Sequence, residues 1–129
     1  MAKGIVIYYS RSGNTKQMGE MIAKAMNDAG VETELRSVDK VKVDDLLKVD
    51  AIVIGSPTYY GTMAAQVKQL IDESVVKHGQ LDGKVGGAFS SSANIGGGNQ
   101  LRDLFVRPIS REDDAILGIV LLHKFFEPR

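Results

Sequence analysis

The chain has 129 residues, 43% hydrophobic and 25% charged, which suits one globular domain and argues against disordered, collagen-like and coiled-coil classes. Sixteen basic side chains balance sixteen acidic ones, leaving no basic footprint for nucleic acid and no polybasic signal for an anionic membrane. The absence of cysteine excludes disulfide scaffolds, thiolate metal sites and cysteine nucleophiles.

Ile5–Tyr9 is a continuously apolar run, the pattern of a strand buried on both faces of a parallel sheet. Polar loop residues Ser10–Asn14 follow. Met18, Met21, Ile22, Ala25, Met26 and Ala29 then recur at helical spacing, which predicts one apolar stripe of a helix stopped by Gly30. Val31–Val38 reads as a more polar second strand, at or near a sheet edge. Asp44–Lys48 is a short helical turn. Ala51–Ile54 reads as a third, buried strand ending at Gly55, Ser56 and Pro57. Met63, Val67, Leu70, Ile71, Ser74 and Val75 restore helical spacing. Lys84–Phe89 is a fourth strand running into Ser90, Ser91 and Ser92. Strands alternating with helices give a doubly wound α/β fold. In such sheets ligands bind beyond the carboxyl ends of the strands. Function is therefore expected in the loops after the first, third and fourth strands.

The first of these loops joins a buried strand to a helix N-terminus. Its hydroxyls and backbone N–H groups converge where the helix dipole favours an anion, and Gly13 permits a tight turn. It carries neither a P-loop lysine nor a G-x-G-x-x-G run. Taken alone it also fits an ordinary hydroxyl-capped helix start. The second loop sets Tyr59 and Tyr60 between Pro57 and Gly61, an aromatic platform for a flat ligand. At least one of these tyrosines is expected to pack on the core edge or to stand exposed. The third loop, from Ser90 to Gly98, offers hydroxyls, an amide and flexible backbone, and alone it fits a plain solvent loop.

Together the three loops resemble those of flavodoxin-like FMN proteins. The residues that carry the resemblance are Tyr8–Thr15, Gly55–Gly61, and Phe89–Ser92 with Gly96, Gly97 and Gly98, over residues 3 to 99. The branch most similar is the NAD(P)H:quinone reductases related to tryptophan-repressor-binding protein. The resemblance implies a flavodoxin-like parallel sheet of strand order 2-1-3-4-5 and FMN as cofactor. It would set the FMN phosphate on Ser10, Arg11, Ser12, Gly13, Asn14 and Thr15. The isoalloxazine ring would lie against Pro57, Thr58, Tyr59, Tyr60 and Gly61. Ser90, Ser91, Ser92, Ala93, Asn94, Gly96 and Gly97 would close over the ring edge and ribityl chain.

Two departures stand out. The short stretch from Val38 to Ala51 leaves no room for the insertion usual in the quinone-reductase branch. After Asn99 the family pattern of a long helix, a fifth strand and a final helix is lost. Composition shifts there too. Residues 1–100 hold nine Lys and two Arg, whereas residues 101–129 hold one Lys and four Arg and three of the four Phe. Such a switch suggests sequence of different origin. The chain is read as one domain over 1–129, with 100–129 an atypical tail. Leu101, Leu104 and Phe105 form a helical stripe ended near Pro108. Ala115–Leu122 reads as a buried fifth strand, with the C-terminal helix missing. A sheet face lacking that helix is expected to be covered by a second copy, through residues after Asn99.

No apolar run approaches the ~20 residues of a membrane span. No signal-peptide pattern opens the chain, so a cytoplasmic location is expected. His78 fits a helix C-terminus, and His123 gets no role. Asp44, Asp45, Asp113 and Asp114 fit helix-start or solvated charges. The acidic residues of a response-regulator receiver are absent, since Ser10, Arg11, Gly55 and Ser56 stand at those positions. No metal cluster and no catalytic side-chain acid or base is expected, because the cofactor carries the chemistry. The expected function is an FMN-dependent oxidoreductase of the NAD(P)H:quinone type, acting on nicotinamide and quinone small molecules. The alternatives are a one-electron carrier docking on a redox partner protein, or a folded domain that has lost its cofactor through the altered tail. Carriers usually steer docking with an acidic face. The 11 acidic and 11 basic residues among the first hundred weaken that alternative.

Overall fold

The computed structural model describes residues 1–91 and the backbone of His123–Lys124. Strand β1 (Lys3–Tyr8) leads into helix α1 (Asn14–Asp28), then β2 (Glu32–Ser37). A 3₁₀ turn (Val38–Lys40) and the short helix α2 (Val43–Leu47) precede β3 (Ala51–Tyr59). The two-residue strand β4 (Thr62–Met63), helix α3 (Ala65–Glu73) and a 3₁₀ turn (Ser74–Lys77) follow. Then come β5 (Val85–Ser91) and β6 (His123–Lys124).

The sheet runs β2-β1-β3-β5-β6, with β4 paired to β3. The first four are parallel neighbours, as expected of the fold. The fifth place is held by β6, which runs antiparallel to β5 and sets His123 opposite Gly86. Expectations for Leu101–Phe105, Ala115–Leu122 and the covered sheet face fall on residues outside those described.

Continuous apolar strands bury both of their faces, and alternate residues divide between two cores. Ile5, Ile7, Ile52, Ile54 and Ala88 pack with Leu46, Met63, Val67 and Leu70 on one side of the sheet. Val6, Val53 and Phe89 pack with Ala23 on the other, the side of α1. Among the described residues β2 pairs only with β1 and is half-buried or exposed along its length, the edge strand its polar sequence predicts.

Two helical stripes differ from expectation. On α1 the buried residues are Thr15, Gly19 and Ala23, flanked by half-buried Met18, Ile22 and Met26, while Met21 is 73% exposed and Ala25 and Ala29 are exposed. The helix lies close to the sheet on its small residues. A Cβ on Gly19 would sit 3.1 Å from Leu35 Cδ1 and 3.5 Å from Phe89 Cζ. Hydropathy counting scores glycine and threonine as neutral and so mistook the rotation of the helix. Met63 lies in β4 rather than in α3, and Val75 stands exposed on the turn after the helix.

Asp45 joins α2 to the sheet edge. Its carboxylate accepts the Lys42 N–H at 2.9 Å and faces Arg36 at 2.9 Å and Lys48 at 3.8 Å. The Lys42 N–H, then the charges of Arg36 and Lys48, hold this carboxyl below its usual range against the opposing effect of desolvation. A folded-state pKa below the unfolded value of about 3.9 makes the contribution fully present above that pH and lost as pH falls through the folded pKa. Asp45→Asn is expected to cost about 1 kcal/mol in urea unfolding at pH 7, a deficit that shrinks below about pH 4. A deficit that is the same at pH 7 and pH 3 overturns this.

Candidate functional site

The described loops that follow β1 and β3, with the end of β5, meet at one rim of the sheet. Parallel register puts them there: Tyr8 lies opposite Gly55, and Gly55, Ser56 and Pro57 lie opposite Phe89, Ser90 and Ser91. Tyr9 follows the last residue of β1, and its N–H donates to the Gly55 carbonyl at 3.1 Å.

The first loop turns sharply at Gly13, whose φ is 99°, in the left-handed region that favours glycine. The Gly13 N–H donates to Ser10 Oγ at 3.0 Å, so the Ser10 hydroxyl shapes the loop from within. Among the described residues no side chain caps α1, and no acidic residue stands in its first turn. Its leading N–H groups are therefore open at the positive end of the helix dipole. The sequence reading of a hydroxyl-capped start does not hold at this helix. Arg11, Ser12 and Asn14 are exposed beside those amides. Among the described residues a Cβ on Gly13 would meet nothing within 4 Å, so they leave the approach to the turn open.

Thr15 is the exception in this loop. It is 2% exposed, and its Oγ1 hydrogen-bonds Ser91 Oγ at 2.8 Å. Its hydroxyl ties the start of α1 to the end of β5, joining the first loop to the third. Ser90 and Ser91 belong to β5 and are half-buried. Ser92, Ala93, Asn94, Gly96 and Gly97 lie outside the described residues.

The second loop is a hairpin rather than an open loop. β3 continues five residues past Ile54, because Gly55, Ser56 and Pro57 stay paired with Phe89, Ser90 and Ser91 of β5. Thr58 and Tyr59 then pair antiparallel with Met63 and Thr62. Tyr60 and Gly61 are the two turn residues, with φ of 49° and 77°. Positive φ at both central positions is what a type I′ hairpin turn requires. A bulky residue there is rare, and such conformations cost roughly 1–3 kcal/mol. Tyr60 therefore stands fully exposed at the tip. Tyr59 is half-buried on the core edge, edge-to-face with Tyr9 at 6.2 Å between ring centroids and 81° between planes. One tyrosine packs and the other is presented, as expected.

Ser56 is a residue that loop reading missed. Fully buried, its Oγ donates to the Pro57 carbonyl at 2.7 Å and accepts the Ala64 N–H at 2.8 Å. It ties the base of the hairpin to the start of α3. Tyr9, which the apolar run places at a strand end, lies one residue past β1 and belongs to the same rim. The available signal was its place, an aromatic residue immediately before the Ser10 loop.

These groups fit FMN. Open helix amides, the Arg11 guanidinium and the Ser12 hydroxyl suit a phosphate dianion. Pro57, Thr58, Tyr59 and the Tyr60–Gly61 turn offer a mostly apolar, partly aromatic wall to a flat ring. Among the described residues there is no group of His, Asp or Glu arranged to hold a metal ion, and no helix is long and apolar enough to cross a membrane.

The sequence profile of the flavodoxin domain family matches residues 5–95. A protein named flavodoxin from Aquifex aeolicus is 41% identical over 103 residues, which cover 78% of this chain and 56% of that relative. A protein named NAD(P)H dehydrogenase (quinone) from Nitrobacter winogradskyi is 35% identical over 122 residues, covering 78% of this chain and 61% of that relative. The chain thus spans little more than half the length of these two curated relatives. The solved structure of a flavodoxin from the domain Archaea superposes with a TM-score of 0.72 at 36% identity, covering 82% of this chain and 73% of that one.

Proposed function

The chain belongs to the flavodoxin domain family, and from that premise we propose that it binds FMN and acts as a redox protein of the NAD(P)H:quinone reductase type. The observation that carries the reading is the uncapped start of α1, headed by Gly13 and flanked by Arg11, beside the Tyr59–Tyr60 hairpin at the same rim. Such a pairing provides for a terminal phosphate and a flat ring at once.

FMN, when bound, supplies hydride and single-electron chemistry. The chain's own residues bind, orient and shield it. Arg11, Ser12, Asn14 and the leading amides of α1 would hold the phosphate. Gly13 keeps the approach open. Pro57, Thr58, Tyr59, Tyr60 and Gly61 would bear on the ring and limit water on that side. Thr15 and Ser91 would hold the phosphate end against the β5 end through their shared hydrogen bond. The loops described hold no carboxylate, histidine or lysine between Ser10 and Thr15 or between Pro57 and Gly61, so no side-chain acid or base is assigned.

FMN is expected to bind at least tenfold more tightly than riboflavin in calorimetry, a factor of about 1.4 kcal/mol for the phosphate contacts. Equal affinity for the two overturns the phosphate assignment. NADH or NADPH is then expected to bleach the bound flavin without a helper protein, and benzoquinone to restore its colour. The carrier reading is favoured by the relative named flavodoxin. It predicts slow bleaching by both nicotinamides and fast reduction only through a protein donor.

A further inference from the structure

We infer that Tyr9 is a positioning residue that sets the spacing between the phosphate end and the ring end of the site. The inference rests on the FMN reading above and extends it to a residue that touches neither end of the ligand in that reading.

Tyr9 occupies the junction of the two halves. Its backbone leads directly into Ser10, the first residue of the phosphate loop. Its N–H is fixed to the Gly55 carbonyl of β3 at 3.1 Å. Its ring meets the Tyr59 ring edge-to-face at 6.2 Å. Both rings are half-buried against the core cluster that includes Ile7, Ile54 and Met63. Tyr59 in turn pairs with Thr62 across the hairpin, one residue from the strained Tyr60–Gly61 turn. The hairpin has its own tie at the base through Ser56, but that tie runs to Ala64 and not to the first loop. The third loop has its tie to α1 through Thr15 and Ser91. Among the described residues, the Tyr9–Tyr59 contact is the aromatic contact that links the first loop to the second.

A ligand whose two ends are joined by a short chain gains fully from both only when the protein holds the two subsites within that chain's favoured reach. Loosening the link leaves each end able to bind alone, while the gain from binding both together falls. Tyr9 therefore affects a ligand that engages both ends, and affects much less a ligand that engages one. The Tyr9 hydroxyl makes no hydrogen bond among the described residues, so its ring carries the effect.

The test compares FMN and riboflavin binding by full-length wild type, Tyr9→Phe and Tyr9→Leu, following quenching of flavin fluorescence. Tyr9→Leu is expected to weaken FMN by about fivefold to tenfold, within the range of one aromatic pair, and to change riboflavin by less than twofold. Tyr9→Phe is expected to match wild type for both. The visible flavin band of the Leu variant is expected to shift toward that of free flavin. Equal weakening of both ligands overturns the inference, because it assigns Tyr9 to the ring wall alone. So does an unchanged FMN affinity in Tyr9→Leu while the wild type still prefers FMN, a result that leaves the FMN reading standing. A wild type that binds neither flavin removes both. If Tyr9→Leu fails to fold, Tyr9→Met at the same position serves with the same outcomes.

Discussion

Replacing Gly55 by alanine is expected to destabilise the fold by about 3 kcal/mol, the upper end of the range for overpacking a core. A Cβ at this position would lie 2.0 to 2.5 Å from three atoms of the Phe89 ring. Phe89 is 2% exposed and sits directly opposite Gly55 in the β3–β5 register. The ring is hemmed in by Val6, Val53 and Ala23, and Gly19 of α1 lies against it as well, so it has nowhere to retreat. Thermal unfolding is expected to shift down by about 10 °C. Gly55→Ala combined with Phe89→Leu is expected to recover part of that loss, since the smaller side chain vacates the space the methyl needs. An unchanged melting temperature in Gly55→Ala would show that the ring does not cover the glycine.

Ser56→Ala is expected to cost about 1–3 kcal/mol, the range for stranding a buried donor. The Ser56 hydroxyl accepts the buried Ala64 N–H, and alanine offers that amide nothing in return. The loss falls on the junction of hairpin and α3, so hydrogen exchange at Ala64 is expected to quicken more than exchange in β1. FMN affinity is expected to fall with it, because the hairpin from Pro57 to Gly61, proposed above to bear on the ring, hangs from this junction. Unaltered exchange at Ala64 would rule out the serine as its partner.

The sheet was legible because its strands are apolar without interruption. Ile5, Val6 and Ile7 cannot all face one side, so the run itself announces two covered faces. The polar alternation of β2 announces an edge for the same reason. The turn between β1 and α1 was legible through Gly13 and its polar neighbours, before a helix stripe. Three things were not legible, and each has a physical cause. The rotation of α1 is decided by close approach at Gly19, a property of space rather than of hydropathy. The hairpin after Ile54 depends on Tyr60 accepting a positive φ, which sequence preference argues against. The burial of Thr15 depends on Ser91, 76 residues away, and no local pattern encodes that partner.

Among the described residues β2 forms a border of the sheet, and that placement bears on how copies of this chain behave when crowded together. An open strand edge is a template on which another strand can add itself, and unguarded edges seed fibres. This one carries Glu32, Glu34 and Arg36 along its six residues, with Arg36 held by Glu34 and Asp45. A second copy sliding alongside would have to strip water from those carboxylates and compete with ion pairs already made. The edge therefore resists fibre growth by charge, while the strand's inner neighbours keep the uninterrupted apolar sequence that a buried sheet requires.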